Sequence, residues 1–431
     1  MMVLFRRCSF RATLHSVPSY AAFIGHQPHL SLAELAATIP GFLLHAKIDR
    51  SVVLFDSGVP LDAAYLDTLG GTVVLAEKIA DKKFTLEDIP GLFAQTLMPI
   101  KGKVTFSLRT SGLSPAAVKQ LYRKSKDHLK KKGKPSRYVG NERTPAPSIV
   151  LRENGLLDRS GGAEITIVQQ KHDGKDLPLW VGITVGAQDV EAYTKRDMEK
   201  PVRDTSVGLL PPKLAQIMIN FGVWLTHSRA SSTRGPQVED QRLTILDPFC
   251  GTGVIPMECL IRGFPVLASD KSEKAVSGTT KNLEWLRKQF EIKKSTVPSR
   301  VWKQDATKPF DVKETVNVIV TETSLGPPLT KRPTLKEVQS LKSDNEKLQA
   351  GFLHAMATSF PGAPVICTWP VWYPSKAPVS LEKIWKVAAD LGYQAVLPPT
   401  IEIVGDRMSL LYRRPDQLVG REIVLLRAKR K

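Results

Sequence analysis

Two glycines and a carboxylate follow a short apolar strand in the second half of the chain. Residues 244–263 read TILDPFCGTGVIPMECLIRG, in which the predicted strand ends at Asp247. Gly251 and Gly253 then form a turn before a helix that Pro256 is expected to begin. Glycine tolerates unusual dihedrals and lets the backbone approach a ligand closely. In an open α/β sheet, such a first turn is where a nucleotide-like ligand lies.

Two further carboxylates end the next two predicted strands. Asp270 closes PVLASD, where it is placed to accept hydrogen bonds from ribose hydroxyls, and Asp305 closes the third strand, where it could accept from an adenine amino group. A single Asp at such a position is more often a helix cap than a ligand, but the ordered set is improbable by accident. Proline at position 256 replaces the third glycine of the dinucleotide fingerprint, and a Walker A lysine is absent, which disfavours pyrophosphate.

The pattern therefore predicts a pocket for a nucleoside that carries no phosphate, and S-adenosylmethionine (SAM) is the obvious candidate. The candidate cofactor-binding residues on these three strand ends are Asp247, Phe249, Gly251, Thr252, Gly253, Asp270, Lys271, Asp305 and Ala306.

Apolar strands alternate with helical stretches in the C-terminal half of the chain. The strand-like segments are LTILDPF, PVLASD, SRVWKQD, VNVIVTE, PVICTW, TIEIV and EIVLLR. This alternation predicts an α/β domain with a mostly parallel, doubly wound sheet over residues 208–431. A polar, proline-punctuated linker is expected at 188–207, after two α+β units at 20–85 and 86–187.

The first of these units contains a predicted amphipathic helix, HLSLAELAATI. Glu34 follows Ser31 by three residues, which is the spacing of a capping box, so Ser31 is expected to cap this helix.

The chain is strongly basic, with 61 Lys and Arg against 42 Asp and Glu, a net charge of +19 and a pI near 9.7. Such a balance favours a polyanionic partner, nucleic acid before an acidic membrane surface.

Ser114 and Pro115 are predicted to start a helix that is apolar on one face and basic on the other. Its basic face carries one acid, Asp127, whereas a solubilising face normally intersperses acids, so we expect it to bind a phosphate backbone. The candidate nucleic-acid-binding residues are Lys119, Arg123, Lys124, Lys126, Lys130, Lys131, Lys134 and Arg137.

Other classes of protein are disfavoured by the composition. The four cysteines are widely spaced and the eight histidines include no His-x-x-x-His pair, so we expect no metal and a reducing compartment. No apolar run reaches the length needed to cross a bilayer. Residues 1–19 form a basic leader without acids, which we interpret as part of a cytoplasmic protein, with an organelle transit peptide as the alternative.

Longer stretches carry a resemblance to a known family. LDPFCGTGVIPMECL resembles the SAM-binding motif of amino-methyltransferases. Residues 195–221, KRDMEKPVRDTSVGLLPPKLAQIMINF, resemble the connector and first helix of the THUMP-containing tRNA guanosine-N(2) methyltransferases. Residues 20–35 look like the start of that family's N-terminal ferredoxin-like domain, and residues 409–427 are similar to its C-terminal hairpin. The resemblance thus spans about residues 20–428.

The resemblance implies a fold, a substrate and further site residues. It implies a Rossmann-like (class I) SAM-dependent methyltransferase domain at 208–431, preceded by a ferredoxin-like domain at 20–85 and a THUMP domain at 86–187 that binds the tRNA acceptor end. The implied reaction is methyl transfer to the exocyclic N(2) amine of a flipped guanosine. The implied residues beside the SAM pocket are Gly208, Leu210, Pro211, Pro212 and Lys213.

The stretch VNVIVTETSLGPPL, residues 316–329, falls where the family carries an acceptor loop that usually reads Asp-Pro-Pro-Tyr. The resemblance places Glu322 on the acidic position, Thr323 and Ser324 on the prolines, and Leu325 on the aromatic. Because the lone pair of an aryl amine is delocalised into its ring, acceptors for the two N–H bonds are needed to localise that pair toward the methyl group. The candidate catalytic residues are Glu322, Thr323, Ser324, Leu325 and Gly326.

We interpret this loop as working but atypical. Gly326 and the two prolines after it are expected to supply the rigidity that positions 323 and 324 lack. Trp369, Trp372 and Tyr373 are possible replacements for the missing aromatic, although we favour packing roles for them.

A tRNA or another structured RNA is therefore the expected partner, with no membrane partner. A small activating protein subunit is a candidate second partner, since some relatives use one. The alternatives are a DNA amino-methyltransferase and a catalytically degenerate RNA-binding homologue.

Overall fold

Two eight-stranded sheets organise the chain, one in its N-terminal half and one in its C-terminal half. The structure, a computed structural model, describes residues 17–172, 175–204, 209–227, 243–375, 377–401 and 407–429. Most of the predicted leader, residue Gly208 and most of the predicted strand TIEIV lie outside these residues.

The N-terminal half contains ten strands and six α-helices among the described residues. The strands are β1 (Ser19–Ile24), β2 (Leu43–Ile48), β3 (Val52–Asp56), β4 (Thr72–Lys78), β5 (Val104–Ser111), β6 (Ser136–Tyr138), β7 (Gly162–Val168), β8 (Lys171–His172), β9 (Lys175–Asp176) and β10 (Trp180–Ala187). The helices are α1 (Pro28–Thr38), α2 (Ala63–Asp67), α3 (Ile89–Leu97), α4 (Pro115–Lys131), α5 (Ser148–Glu153) and α6 (Val190–Met198), with a 3-10 turn at Leu86–Asp88.

The two predicted N-terminal α+β units contribute to one sheet. Its order is β2-β3-β1-β4-β10-β7-β5-β6, and the antiparallel pair of β4 and β10 joins the first unit to the second. Helix α6 occupies much of the segment that the sequence predicted to be a linker.

The C-terminal half begins with helix α7. Its helices are α7 (Pro212–His227), α8 (Val254–Ile261), α9 (Glu273–Gln289), α10 (Leu335–Ser359) and α11 (Lys383–Asp390). Its strands are β11 (Ile245–Asp247), β12 (Val266–Asp270), β13 (Ser299–Lys303), β14 (Val318–Glu322), β15 (Val365–Trp372), β16 (Tyr393–Ala395), β17 (Leu410–Tyr412) and β18 (Val419–Ala428).

The strand order confirms the predicted fold class of this half. The sheet runs β13-β12-β11-β14-β15-β18-β16, with β17 also paired to β18. Strands β13, β12, β11, β14 and β15 are parallel, whereas β18 is antiparallel to its neighbours. A parallel sheet with one antiparallel strand, here β18, inserted between β15 and β16 is the arrangement of the Rossmann-like methyltransferase fold. The predicted C-terminal hairpin is present as β17 and β18.

Burial on both faces explains why these strands read as continuous apolar runs. Neighbouring residues of β11 point to opposite faces, so Ile245 packs with the α7, α8 and α9 side while Leu246 packs with the α10 and α11 side. Because the strands are parallel, the carboxyl ends of β11, β12, β13 and β14 lie along one edge of the sheet.

Two predicted helix starts are wrong. Helix α1 begins at Pro28 with Gln27 as its N-cap, so Ser31 is inside the helix and does not cap it; instead its hydroxyl donates to Gly71 O at 2.8 Å. Helix α8 begins at Val254, two residues before Pro256. In each helix the proline lies within the first turn, where a backbone N–H has no partner inside the helix, so the missing N–H of proline costs no hydrogen bond.

Glu34 binds the two halves of the chain together instead of closing a capping box. Its carboxylate is fully buried and accepts from the backbone amides of Gly70 and Gly71 at 2.8 and 2.7 Å and from Asn220 Nδ2 of α7 at 2.6 Å. Arg262, next to α8, donates to Asn220 Oδ1 at 2.8 Å. Burial raises the pKa of Glu34 to about 7, although all of these donors favour its ionised form.

Replacing Glu34 by glutamine tests this interface. Both oxygens of Glu34 accept from N–H groups, so the NH₂ group of a glutamine would set one donor against another and lose that hydrogen bond. We therefore expect Glu34→Gln to lower the free energy of unfolding by about 3 kcal/mol. Differential scanning calorimetry at pH 8 measures the change as a lower Tm. The control is Glu87→Gln, since Glu87 is exposed and pairs only with exposed Lys124. Equal Tm values for both variants would contradict the assigned role.

Candidate cofactor and acceptor site

The turn between β11 and α8 has the backbone that its glycines predict. Gly251 and Gly253 have φ values of +51° and +86°. A Cβ at Gly253 would lie 2.9 Å from the Thr279 side chain, so this glycine allows the turn to pack against α9. A Cβ at Gly251 would meet no atom within 4 Å, so the turn faces open space at this position.

Two polar residues of α9 hold this turn, and the sequence reasoning missed both. Thr279 Oγ1 donates to Gly251 O at 2.9 Å, and Asn282 Nδ2 donates to Thr252 O at 2.8 Å. Asn282 also exchanges two hydrogen bonds of 2.9 Å with the backbone of Val202, in the segment after α6. Their spacing could have revealed them, because Thr279 and Asn282 are three residues apart and lie on the same buried face as the apolar residues of α9.

Asp270 is the last residue of β12, as predicted, whereas Asp305 lies two residues after the end of β13. Asp270 accepts from the backbone N–H of Gly251 at 3.1 Å and of Ser272 at 2.9 Å, one on each oxygen. Asp305 is exposed and accepts from the N–H and hydroxyl of Thr307 through the same oxygen, which holds its pKa below the usual range. Each carboxylate therefore closes a local turn and keeps unused lone pairs.

Asp247 is buried and differs from both. It accepts from the Thr321 hydroxyl at 2.6 Å and from the Phe249 N–H at 3.3 Å. Burial is the main cause that raises its pKa to about 7, and the negative charges of Asp270 and Glu322 add to the shift. Asp247 therefore connects the start of the turn, at Phe249, to Thr321 of β14.

Glu322, the predicted acceptor carboxylate, is the last residue of β14 and forms an ion pair with Arg421 of β18. The contact joins Arg421 Nε to Glu322 Oε1, and no other described residue donates to this carboxylate. Burial raises the pKa of Glu322, and the guanidinium opposes that rise. The sequence reasoning did not identify Arg421, which lies 99 residues away along the chain.

Helix α10 fixes the loop after Glu322. Asn345 Nδ2 donates to Ser324 O at 2.8 Å, and Gln349 Nε2 donates to Thr323 Oγ1 at 2.7 Å. The Thr323 hydroxyl in turn donates to the Thr368 carbonyl of β15. Side-chain amides of α10 therefore hold Thr323 and Ser324, the two positions that the resemblance aligns with prolines. This support adds to any stiffness that Gly326 and the following prolines supply.

The three aromatics considered as replacements for Leu325 are packed against other residues. Trp369 and Trp372 are fully buried in the core, as the sequence analysis favoured. Tyr373 lies between the Arg413 guanidinium, 3.6 Å from its ring centroid, and Gly420.

The connector residues divide into two groups. Leu210 and Pro212 are buried at the start of α7, and Leu209 O accepts from Arg421 Nη2 at 3.4 Å, so this end of the connector lies beside the Glu322 ion pair. Lys213 is directed elsewhere: its Nζ donates to Gln188 at 2.7 Å, toward the N-terminal half.

Helix α4 presents its predicted basic face to solvent. Ser114 is its N-cap, and Val118, Leu121, Ser125 and Leu129 are buried as expected. Lys134 contradicts the prediction, since it is only 8% exposed and its Nζ donates to the carbonyl groups after α3, at Met98 and Ile100. The negative end of α3 attracts this cation. The residues that remain exposed are Lys119, Arg123, Lys124, Lys126, Lys130, Lys131 and Arg137.

Neither a membrane-spanning helix nor a metal site occurs in the part of the chain that the structure describes. The helices there do not combine the length and apolar composition needed to span a membrane. Within the same residues, His, Cys, Asp and Glu form no group of three that could hold a metal ion.

A family model matches the part of the sequence that carries this site. Residues 233–354 match the family described as Conserved hypothetical protein 95. The matched segment includes the glycine turn, Asp270, Asp305 and Glu322, which supports the resemblance drawn from the motifs. No curated protein matches the sequence.

Three solved structures are similar over nearly the whole chain. TrmN from Thermus thermophilus is 15% identical, with 95% of this chain and 99% of that one covered and a TM-score of 0.47. A possible methylase from Clostridium difficile 630 is 12% identical, with 96% and 98% covered and a TM-score of 0.45. A predicted N6-adenine-specific DNA methylase from Listeria monocytogenes is 10% identical, with 95% and 96% covered and a TM-score of 0.41.

The support from α10 can be tested with Asn345→Asp, which replaces the donor to Ser324 O by an acceptor. We expect the backbone amides of residues 323–326 to exchange with deuterium about tenfold faster, because the variant cannot form one hydrogen bond that closes the loop. Hydrogen-exchange mass spectrometry measures the rate. Asp344→Asn, at the exposed neighbouring position, is the control, and an unchanged rate in Asn345→Asp would show that the loop does not depend on α10.

Proposed function

We propose that this protein is a SAM-dependent methyltransferase that methylates an exocyclic amine in a structured RNA, and that its target is N(2) of a guanosine in tRNA. The observation that carries the proposal is the position of Glu322. It ends β14 on the same sheet edge as the glycine turn of β11 and Asp270 of β12, and an ion pair fixes it there.

The residues of this edge fit SAM. The open space at Gly251 gives a ligand access to the turn, and both oxygens of Asp270 keep lone pairs for ribose hydroxyls. None of the described residues donates to the second oxygen of Asp305, which suits an adenine amino group. The carboxylate of Asp270, which has no described ion-pair partner, favours a cationic ligand at this edge.

When bound, SAM supplies an electrophilic methyl group on a positively charged sulfur. The residues of this chain act on the acceptor: Glu322 accepts one N–H of the target amine, and the backbone carbonyl of Thr323 accepts the other. Both acceptors localise the nitrogen lone pair toward the methyl group, so that rate is gained mainly through positioning. Loss of the aromatic at Leu325 is expected to weaken base stacking by about 1–3 kcal/mol.

RNA binding is assigned to the N-terminal half. The exposed basic face of α4 is long enough to follow a phosphate backbone, and such contacts hold a duplex without reading its sequence. We propose that residues 86–187 are the THUMP domain that the resemblance implies, with the ferredoxin-like unit at 20–85 before it and the methyltransferase domain at 208–431 after it.

One observation favours a second candidate function, an RNA-binding protein that no longer transfers methyl groups. Arg421 occupies one oxygen of Glu322, and the loop lacks both the prolines and the aromatic of the related enzymes. This candidate predicts salt-dependent RNA binding without methyl transfer.

Methyl transfer from labelled SAM to unmodified tRNA transcripts and to duplex DNA tests the proposal. Nucleoside mass spectrometry should identify methylguanosine from tRNA, and Glu322→Ala should lower the rate about 100-fold because the amine loses a positioned acceptor. Glu314→Ala, which removes an exposed carboxylate paired with Arg300, should leave the rate unchanged. Product from DNA alone would identify the DNA alternative. No product from any acceptor, with SAM binding intact and cell extract added as a source of an activating subunit, would favour the second candidate.

The RNA surface is tested by replacing Lys126, Lys130 and Lys131 with glutamine together. We expect weaker tRNA binding and a smaller salt dependence, because each phosphate that the variant no longer neutralises reduces the slope of log K against log salt concentration by about 0.9. Filter binding over a range of salt concentrations measures both.

A matched control for that variant changes the same number of charges elsewhere. Lys288, Lys293 and Lys294 are exposed at and after the end of α9, and their triple glutamine variant should bind tRNA with nearly the original affinity. Equal losses of affinity in the two triple variants would show that binding follows net charge and not the face of α4.

A further inference from the structure

Arg421 reaches the acceptor loop from two strands away. It is opposite Pro370 in the pairing of β18 with β15, and Glu322 is opposite Thr368 in the pairing of β14 with β15. Because β18 is antiparallel to the other strands, its first residues lie at the carboxyl edge where β14 ends. The Arg421 side chain therefore spans β15 to reach the carboxylate.

Three contacts fix the guanidinium. Its Nε donates to Glu322 Oε1, its Nη2 donates to Leu209 O at 3.4 Å, and its centre lies 5.8 Å from the Tyr412 ring centroid. The residue is only 2% exposed, so these protein partners take the place of water. An arginine anchored in this way presents its donors in one direction.

Glu322 needs such a partner more than an aspartate would. Its side chain is one methylene longer than that of aspartate and has one more rotatable bond, so more conformations must be excluded to hold its carboxylate in place. Arg421 binds Oε1, while the side chain remains 16% exposed and none of the described residues donates to Oε2. Arg421 thus holds one oxygen, and the other keeps its lone pairs for a further donor.

We propose that Arg421 is a positioning residue for the proposed methyl transfer: it fixes Glu322 through Oε1 so that Oε2 accepts an N–H of the target amine. Through Leu209 it also joins this carboxylate to the connector that the family resemblance places beside SAM. The inference rests on the proposed function.

A double-mutant cycle separates this role from a merely structural one. The variants are Arg421→Met, which keeps an extended side chain without charge, Glu322→Gln, and the two combined. We expect each single variant to slow single-turnover methyl transfer to tRNA about 100-fold, and the double variant to be no slower than Glu322→Gln alone. SAM affinity by calorimetry and tRNA affinity should stay within twofold of the original values. Arg421→Lys keeps the charge but not the Nε geometry, and it should react about tenfold faster than Arg421→Met.

Crystal structures of the unchanged protein and of Arg421→Met provide a readout apart from activity. Glu322 should be ordered against Arg421 in the first and displaced in the second. An unchanged Glu322 in Arg421→Met, a rate equal to that of the unchanged protein, or single-variant losses of rate that multiply in the double variant would each overturn the inference. If the unchanged protein transfers no methyl group to any acceptor, the proposed function fails, and the position of Glu322 in the two structures still decides whether Arg421 fixes it.

Discussion

Three carboxylates share the carboxyl edge of the parallel strands, and the stabilisation of their charges by protein donors is the constraint on which the rest of the site depends. Asp247, Asp270 and Glu322 are near enough for the last two to raise the pKa of the first. Each is stabilised by a different donor: a hydroxyl for Asp247, backbone amides for Asp270 and a guanidinium for Glu322. The differences in donor follow the differences in burial, since a buried carboxylate needs protein partners that an exposed one takes from water.

The same donors explain how the edge is divided between support and binding. Asp247 is buried and joins β11 to β14, so its role is to hold two strand ends together. Asp270 and Asp305 are nearer the solvent and keep free lone pairs. Glu322 is intermediate, held on one oxygen only. A cationic ligand at this edge would be attracted by the carboxylates that keep free lone pairs, which is the electrostatic reason that SAM suits it.

Features set by local spacing could be predicted from the sequence. The glycine turn, the carboxylates that end β11, β12 and β14 and the basic face of α4 follow from alternation and helical periodicity, and the structure has them at the expected positions. Asp305, which was also predicted to end a strand, lies two residues after β13. Features set by long-range packing could not. Glu34 and Ser31 have the spacing of a capping box, but tertiary partners from α7 and the loop before β4 take both side chains. Lys134 belongs to a basic run by sequence, yet the end of α3 buries it. Spacing along one strand carries no information on the pairing of Glu322 with Arg421 across β15.

Calorimetric titration of SAM into the protein tests most directly whether this edge is a cofactor site. We predict one SAM bound per chain, and binding at least tenfold weaker in Asp270→Asn, because ribose hydroxyls lose a charged acceptor. Asp311→Asn, at an exposed position between β13 and β14, should bind SAM like the unchanged protein. Absence of SAM binding to the unchanged protein, or equal affinity in Asp270→Asn, would contradict the assignment of this edge as the SAM site.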